Sequence, residues 1–381
     1  MCDKKQDKSS FQPHIIMDHN IDDKNNLPSR KADHVKLVIE EDTGIDKVSN
    51  GFENFKIIPS AIPEVDYREI SMETSFLGFE FNAPIMIAGM TGGYPEAEKI
   101  NKKLASICNE VGIPMGVGSQ RAMIKNKNMM STYNVKKYFE DLFLVGNLGL
   151  VQFNYDFGVD EYNECVEKID ADAMALHVNA FQELCQPEGD LNFSDLWKKL
   201  GALCEKSKVP IIGKEVGSGI GFEDVKKFEQ VGCSAIDVGG AGGTSWAKIE
   251  LMRYEGEGNP PFELNDPTLK WGIPTAYATW EASGSTNLEL ISTGGMYHGL
   301  DAAKALAMGT NMVGVARPVL QNLINNGENS ALKWVKNYIE TIKRVMFLMG
   351  TDSIENLRTQ KNKLIPMNDA YFWVNSRKNK L

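Results

Sequence analysis

The 381-residue sequence lacks several patterns that would assign a protein to a class directly. Its six cysteines form no CxxC pair and no spacing typical of a zinc site. No stretch approaches the ~20 consecutive apolar residues of a membrane-spanning helix, and the first ten residues contain no apolar core of a signal peptide. The net charge is −10, with no long basic block. These absences predict a soluble, cytoplasmic protein with free thiols and no nucleic-acid or membrane partner.

The composition predicts one large domain with extensions at both ends. Hydrophobic residues make up 42% and charged residues 24% of the chain, which is close to a soluble globular average and allows a large core. Residues 1–28 are polar and read as a flexible tail. We expect a single domain over residues 29–350 and a Lys/Asn-rich C-terminal tail over residues 351–381.

Short apolar runs alternate regularly with amphipathic stretches of helical length. Such alternation is typical of βα units that build a parallel sheet. The runs are PIMIAG (84–89), IPMGVG (113–118), LFLVGN (142–147), AMALHVN (173–179), VPIIGKE (209–215), AIDVGG (235–240), LELISTGG (288–295) and NMVGVA (311–316). Eight strands, each followed by a helix, are the number that a closed (β/α)₈ TIM barrel needs.

A doubly wound open sheet is the competing architecture. Such a sheet has fewer strands and carries its glycine-rich turn after the first strand. Here glycines follow nearly every strand, and the richest turns follow the seventh and eighth. The sequence therefore favours the α/β barrel, with an N-terminal extension and a C-terminal helix.

Several segments outside the eight repeats also have a predicted structure. RKADHVKLVIEE predicts a helix near the start, followed by an irregular lead-in, and Leu77-Gly78 predicts a hairpin between Phe76 and Phe81. The long connection from Gly239 to about Leu269 predicts a lid or a wall of the active site. After Pro318, an amphipathic helix is expected to close the barrel wall.

The seventh and eighth strands end in STGG and GVARP. Backbone N–H groups on glycine turns next to helix N-termini bind anions, and barrels bind phosphate at this position. The alternative is two tight turns that need only positive φ angles. Because the two turns lie on adjacent strands, we favour a phosphate site.

Other strand ends suggest a flat, electron-rich ring above the barrel. The loops AGMTGG (88–93), GSQRA (118–122) and GNLG (146–149) are built from small residues, so a ring can approach the backbone closely. Lys214 at the fifth strand end suits a flavin, whose N1–C2=O region is negative when reduced. The alternative for this lysine is an internal ion pair with Glu215 or Asp237.

The fourth strand ends in HVNAFQE, with four polar residues within seven positions. His177 and Asn179 alternate inward, and Gln182 and Glu183 are expected on the following loop. A single His is more often a packed, hydrogen-bonded residue, and a single Glu is usually solvated. Mg²⁺ binds one or two carboxylates together with substrate phosphate oxygens, so Glu183 is the candidate metal ligand.

Three potential cations, Arg30, Lys31 and His34, lie within five residues at a predicted helix start. A solvated helix start is the alternative. Cations at a helix N-terminus oppose the macrodipole, so their presence favours a pyrophosphate partner.

Together, RKADH, APIMIAGMTGG, GVGSQR, HVNAFQE, GKEVGSG, GGAGGTSWAKIE, WGIPTA, STGG and GVARP resemble the type 2 isopentenyl-diphosphate isomerases, from about Arg30 to Leu320. This resemblance implies an FMN-dependent barrel that interconverts isopentenyl diphosphate and dimethylallyl diphosphate in isoprenoid biosynthesis. It also implies reduced FMN supplied through NADPH, Mg²⁺, and a homo-oligomer, a tetramer or octamer.

The resemblance also implies roles for individual residues. FMN would be bound by Gly89, Met90, Thr91, Ser119, Asn147, Lys214, Thr244, Gly294, Gly295, Ala316 and Arg317. The substrate would be bound by Arg30, Lys31, His34, Ser119, Arg121, His177, Asn179 and Gln182, with Glu183 on the metal. Gln182, facing the isoprene, and Glu250, near the proton-transfer site, would be the catalytic side chains.

Two other functions fit the same barrel. An FMN-dependent hydroxy-acid oxidase needs a His base and an Arg clamp near the sixth and seventh strands. The loops there read GGAGGTSW and STGGMYHG, so no such His–Arg pair follows the sixth strand. A flavin-binding protein without turnover would not require the RKADH and HVNAFQE clusters. Both clusters therefore favour the isomerase.

Overall fold

A computed structural model of the protein describes residues 27–41, 43–44, 48–254 and 260–377. The predicted N-terminal tail therefore lies outside the described residues up to residue 26. The strands of the described part are β1 (Phe55–Ile57), β2 (Thr74–Phe76), β3 (Phe79–Phe81), β4 (Ile85–Ile87), β5 (Met115–Gly116), β6 (Leu144–Gly149), β7 (Ala173–Val178), β8 (Ile211–Glu215), β9 (Ala235–Asp237), β10 (Glu289–Ser292), β11 (Met312–Val315) and β12 (Leu364–Pro366).

The α-helices of the described part follow most of these strands. They are α1 (Leu27–Glu40), α2 (Ala97–Val111), α3 (Arg121–Lys125), α4 (Val159–Ile169), α5 (Ala180–Cys185), α6 (Leu196–Lys206), α7 (Phe222–Gln230), α8 (Trp246–Met252), α9 (Thr275–Ser283), α10 (Gly299–Met308), α11 (Arg317–Asn326), α12 (Glu328–Met349), α13 (Ile354–Arg358) and α14 (Asn368–Arg377). Among them, none combines the length and apolar character needed to cross a membrane.

Strands β4 to β11 form a closed barrel in which each strand pairs in parallel with its neighbours in sequence, and β11 closes onto β4. All eight predicted strands are present, so the predicted TIM barrel is confirmed. The apolar runs form strands because both faces of the sheet are covered: β4 is buried along its whole length.

The lower end of the barrel is closed by the predicted hairpin, β2–β3, whose register pairs Phe76 with Phe79. Its residues Phe76 and Phe81 pack with Met86, Phe143 and other side chains from the starts of the barrel strands. This plug closes the N-terminal end, so the opposite end, where the βα loops begin, is the open one.

The segment predicted as a C-terminal tail is folded over residues 351–377. It contains α13 and α14, and β12 pairs antiparallel with β1 of the lead-in. At its end, Arg377 forms an ion pair with the fully buried Glu281 at 2.5 Å. The structure corrects the prediction for these residues, because the local Lys/Asn-rich composition does not reveal partners that are distant in sequence.

Candidate functional site

A cavity of about 250 Å³ opens at the C-terminal ends of the barrel strands, and α1 lies across one side of its mouth. Of the residues selected from the sequence, only Glu250 does not line this cavity. The lining residues from that set are Arg30, Lys31, His34, Gly89, Met90, Thr91, Ser119, Arg121, Asn147, His177, Asn179, Gln182, Glu183, Lys214, Thr244, Gly294, Gly295, Ala316 and Arg317. The fold thus brings predicted residues from both halves of the chain into one pocket.

The glycine turn after β10 forms a cradle that leaves no room for side chains. Gly294 and Gly295 have φ angles of +108° and +68°. A Cβ on Gly294 would lie 2.1 Å from the Gly240 carbonyl oxygen, and one on Gly295 would lie 2.3 Å from that of Gly242. With the start of α11 beside it, this turn has the shape and the backbone donors that a phosphate group needs.

The Arg317 side chain does not point into this cradle. Its Nε donates to the Val38 carbonyl oxygen at 3.0 Å, and its Nη2 donates to that of Glu41 at 2.7 Å. These carbonyls are at the C-terminal end of α1, where helical acceptors lack intrahelical partners. Arg317 therefore fastens α1 over the cavity, while its position at the start of α11 leaves its backbone beside the cradle.

Lys214 lines the cavity and forms a partly buried ion pair with Asp237, which is one of the two pairs that the sequence offered as the alternative. Asp237 also accepts a hydrogen bond from the Thr293 hydroxyl at 2.5 Å. The pair therefore holds a cation at the centre of the barrel mouth, where it faces any ring placed above the strands.

His177 is neutral because burial, with the nearby cations Lys214 and Lys31, lowers its pKa to about 3. Its Nδ1 lies 2.7 Å from Asn147 Oδ1, and Asn147 Nδ2 donates to the Val117 carbonyl oxygen. This orientation of the amide places the imidazole proton on Nδ1. Nε2 is left as an acceptor, so His177 can receive a hydrogen bond from a ligand but cannot supply a positive charge.

A cluster of three cations lies where α1 meets the loop after β5. Lys31 Nζ donates to the Ser119 carbonyl oxygen at 2.5 Å, and its pKa is lowered to about 7 by burial and by the neighbouring Arg30 and Arg121. The Nε atoms of both arginines are buried without a hydrogen-bond partner. Unsatisfied buried donors with positive charge are the features expected of an anion site.

This burial decides between two interpretations of the α1 residues. The side chains of Arg30 and His34 are only 13% and 12% exposed. The alternative interpretation, in which these residues form a solvated helix start, is therefore wrong.

Gln182 and Glu183 lie on the short helix α5, not on a loop as the sequence predicted. Glu183 is 5% exposed, which excludes the solvated alternative, and burial raises its pKa. Its carboxylate accepts from Asn179 Nδ2 and from the backbone N–H of Asp190, both at 2.8 Å. The described residues contain no group of three or more His, Cys, Asp or Glu side chains arranged for a metal.

Glu250 lies behind the cavity wall on α8 and is fully buried. It accepts a hydrogen bond from Gln182 Nε2 at 2.7 Å and lies 3.1 Å from His34 Nε2 and 2.6 Å from Arg253 Nη1. Burial alone would raise its pKa, but His34, Arg253 and Gln182 lower it to about 2. Glu250 is therefore an anion that reaches the cavity only through its neighbours.

Sequence reasoning missed several residues that shape the site. Trp246 lines the cavity and packs edge-on against His34, with ring centroids 5.4 Å apart. Tyr133 donates to the Ser119 carbonyl oxygen at 2.7 Å beside Lys31. Trp246 directly follows the glycine-rich segment GGAGGTS, so an aromatic residue at this point of the sequence could have indicated a role. Nothing near Tyr133 in the sequence indicates one.

Comparisons with known proteins agree with this geometry. A family model described as FMN-dependent dehydrogenase matches residues 23–139 and 168–363. The chain is 42% identical to the isopentenyl-diphosphate delta-isomerase of Pyrococcus furiosus, over 86% of this chain and 84% of that protein. It is 40% identical to that of Nostoc sp. (87% and 94%) and 37% identical to that of Methanothermobacter thermautotrophicus (92% and 97%).

Solved structures with low sequence identity share the fold. The flavin-binding domain of baker's yeast flavocytochrome b2 has a TM-score of 0.60 at 20% identity, covering 83% of this chain and 77% of that one. A lactate oxidase of Pediococcus acidilactici has a TM-score of 0.60 at 18% identity, covering 84% and 86%. At these identities the likeness extends to the barrel and no further.

Proposed function

The chain belongs to the FMN-dependent dehydrogenase family and, within it, to the isopentenyl-diphosphate delta-isomerases, and we propose that it interconverts isopentenyl diphosphate and dimethylallyl diphosphate. The observation that carries this proposal is the cation cluster of Arg30, Lys31 and Arg121, with two buried Nε donors that have no partner. A diphosphate would supply acceptors for these two donors and further negative charge beside the three basic side chains.

An apolar part of the cavity lining fits the five-carbon end of such a substrate. Val38 and Leu320 are buried there, and Val35, Met90 and Trp246 pack against them. An amphipathic ligand would therefore place its diphosphate on the cations and its alkene against an apolar wall. Binding energy from the diphosphate end orients the reacting end.

The cradle of Gly294 and Gly295 supports binding of FMN through its phosphate, and Lys214 supports a negative ring edge above the barrel. Reduced FMN, when bound, would supply an electron-rich ring and an ionisable N5. The small-residue loops that carry Gly89, Thr91 and Asn147 leave room for the ring to lie against the backbone.

Moving a double bond by one carbon requires one proton added and another removed, without net redox change. Gln182 is oriented by its hydrogen bond to Glu250 and faces the cavity, where it can hold the isoprene in place. Because Glu250 is an anion that reaches the cavity only through its neighbours, we assign it to the orientation of Gln182 and His34, not to proton donation.

Further assignments accompany this proposal. Glu183 and Asn179 would bind Mg²⁺ together with diphosphate oxygens, a role that the unpartnered Asn179 Oδ1 supports. NADPH would reduce the flavin, as the resemblance implies.

Assembly into a tetramer or octamer is supported by the exposed rings of Tyr371 and Phe372 on α14. A cytoplasmic location is supported by the free thiols among the described cysteines.

Hydroxy-acid oxidation on the same barrel is less well supported. That reaction needs a His base and an Arg clamp beside the flavin. In the described part of the chain, the loop after β9 and the first residue of α8 contribute Gly239, Gly240, Gly243, Thr244 and Trp246 to the cavity, and none of these is a His or an Arg.

An anaerobic assay tests the proposed function. We expect the purified protein to be yellow and to convert isopentenyl diphosphate only after reduction by NADPH or dithionite, with Mg²⁺ present. A colourless protein, or equal turnover with oxidised flavin, would contradict the proposal.

A further inference from the structure

Glu188, in the loop after α5, joins two arginines from separate parts of the barrel. Its Oε1 lies 2.8 Å from Arg30 Nη1 on α1 and 3.4 Å from Arg253 Nη1 at the end of α8. The carboxylate is 36% exposed, but the side chains of Arg30 and Arg253 are 13% and 10% exposed. The two ion pairs of Glu188 thus belong to a partly buried network and are not isolated surface ion pairs.

Arg253 extends the network to the reacting end of the cavity. The same Nη1 atom donates to Glu250 Oε2 at 2.6 Å, and Glu250 in turn contacts His34 and Gln182. Arg30 and His34 are four residues apart on α1, so they lie on one face of the helix. Two carboxylates, Glu188 and Glu250, therefore hold this face of α1, and Arg253 connects them.

The loop that carries Glu188 is itself held firmly. Asp190 donates its backbone N–H to Glu183 Oε2 and forms an ion pair with Arg121 at 2.9 Å. A Cβ on Gly189 would lie 1.8 Å from the Glu183 carbonyl oxygen, so the backbone packs directly against α5. Glu188 is consequently a fixed anchor for Arg30.

We propose that Glu188 and Arg253 are positioning residues that hold Arg30 and His34 of α1 in place for the diphosphate and the reacting end of the substrate. This inference rests on the proposed function. Neither residue is expected to touch substrate: Glu188 acts through Arg30, and Arg253 acts through Glu188 and Glu250. Arginine suits the bridging position because its planar fork can reach two carboxylates at once, which a lysine ammonium does less well.

Removal of the Glu188 carboxylate would change anion binding in two opposite ways, one through the charge of the cavity and one through the position of Arg30. Removing the Glu188 carboxylate makes the cavity more positive, so electrostatics alone would tighten the binding of an anion. Loss of positioning frees the Arg30 guanidinium, which must then be ordered by the ligand at an entropic cost. The sign of the change therefore identifies the role.

The test measures binding of inorganic diphosphate with Mg²⁺ to FMN-loaded protein by calorimetry. We expect Glu188→Gln and Arg253→Lys each to weaken binding at least threefold, with unchanged flavin absorbance. The KM for isopentenyl diphosphate should rise by a similar factor, with a smaller change in kcat. The double variant should lose less than the product of the two single losses, because both residues serve one network.

Glu205→Gln on α6 is the matched control, since it removes the same charge from an exposed position. Binding that is unchanged or tighter in Glu188→Gln would overturn the inference, as would fully multiplicative losses in the double variant. If the wild-type protein fails to turn over isopentenyl diphosphate while the variants still bind diphosphate more weakly, the proposed function fails and the positioning role stands. If Arg253→Lys does not fold, Glu188→Gln alone decides.

Discussion

His177 and Asn147, on the neighbouring strands β7 and β6, share a hydrogen bond of 2.7 Å between Nδ1 and Oδ1. Because burial and the nearby cations Lys214 and Lys31 lower the pKa of the partly buried imidazole, it stays neutral and presents Nε2 to the cavity as an acceptor. An acceptor beside the anion site suits water on a metal ion, or another ligand donor, better than a bare phosphate oxygen.

The depressed pKa of His177 predicts a loss of stability in acid. The pKa of His177 is about 3 in the folded protein, whereas the ordinary value, which applies to the unfolded chain, is 6.5. Between these values the unfolded chain takes up a proton that the folded chain does not. The stabilising contribution is therefore complete above pH 6.5 and is lost as the pH falls toward 3, by about 1.4 kcal/mol per pH unit for one proton. Denaturant unfolding at pH 7, 6 and 5 should show a shallower pH dependence in His177→Gln; identical slopes would contradict the assignment.

Gly295→Ala should abolish most FMN binding. The substitution places a Cβ 2.3 Å from the Gly242 carbonyl oxygen at a φ of +68°, so the cradle must open. We expect at least tenfold weaker FMN binding, measured by flavin fluorescence during titration of the apoprotein. Gly327→Ala is the control, because Gly327 has a φ of +85° with nothing within 4 Å. With φ 85° and ψ 174°, Gly327 lies in a region that is essentially restricted to glycine, so the alanine there carries a backbone cost of about 1–3 kcal/mol without the clash. Equal FMN losses in both variants would show that the effect is general destabilisation.

Arg317→Gln should loosen α1 rather than empty the phosphate cradle. Two hydrogen bonds to the end of α1 are lost, whereas the backbone at the start of α11 remains. Hydrogen exchange over residues 30–41 should become roughly tenfold faster, which corresponds to about 1.4 kcal/mol of local stability. FMN content should change less than in Gly295→Ala. Loss of FMN with unchanged exchange in α1 would instead assign the guanidinium to the phosphate.

Glu183→Gln should weaken the dependence on Mg²⁺ more than the flavin content. A neutral amide keeps the size of the side chain but removes the charge that attracts a hard cation. The Mg²⁺ concentration for half-maximal activity should rise at least tenfold, while the absorbance of bound FMN stays within a factor of two. An equal loss of FMN would refute the role given to Glu183.

The barrel was predictable from the sequence because its signals are local. The run LFLVGN (142–147) overlaps β6 (Leu144–Gly149), and Leu77-Gly78 forms the turn of the hairpin, because strand burial and turn chemistry depend on adjacent residues. The ion pair of Lys214 with Asp237 was also open to prediction, because both residues lie at the ends of neighbouring strands.

The remaining features depend on contacts between distant residues. Nothing near Arg317 in the sequence indicates that its side chain caps α1, and nothing near residue 364 indicates a partner at residue 57. Likewise, the alternation that placed His177 correctly does not predict that the next residues turn at once into α5, which carries Gln182 and Glu183. Such details arise from packing that single-sequence patterns do not contain.

The fastening of α1 by Arg317 also bears on how the protein is made. The bonded groups are separated by 279 and 276 residues along the chain. Residues 30–41 leave the ribosome long before Arg317, whose side chain holds α1 in place, has been added. The cationic side of the pocket can therefore be completed only after residue 317 has been added and the barrel strands have emerged.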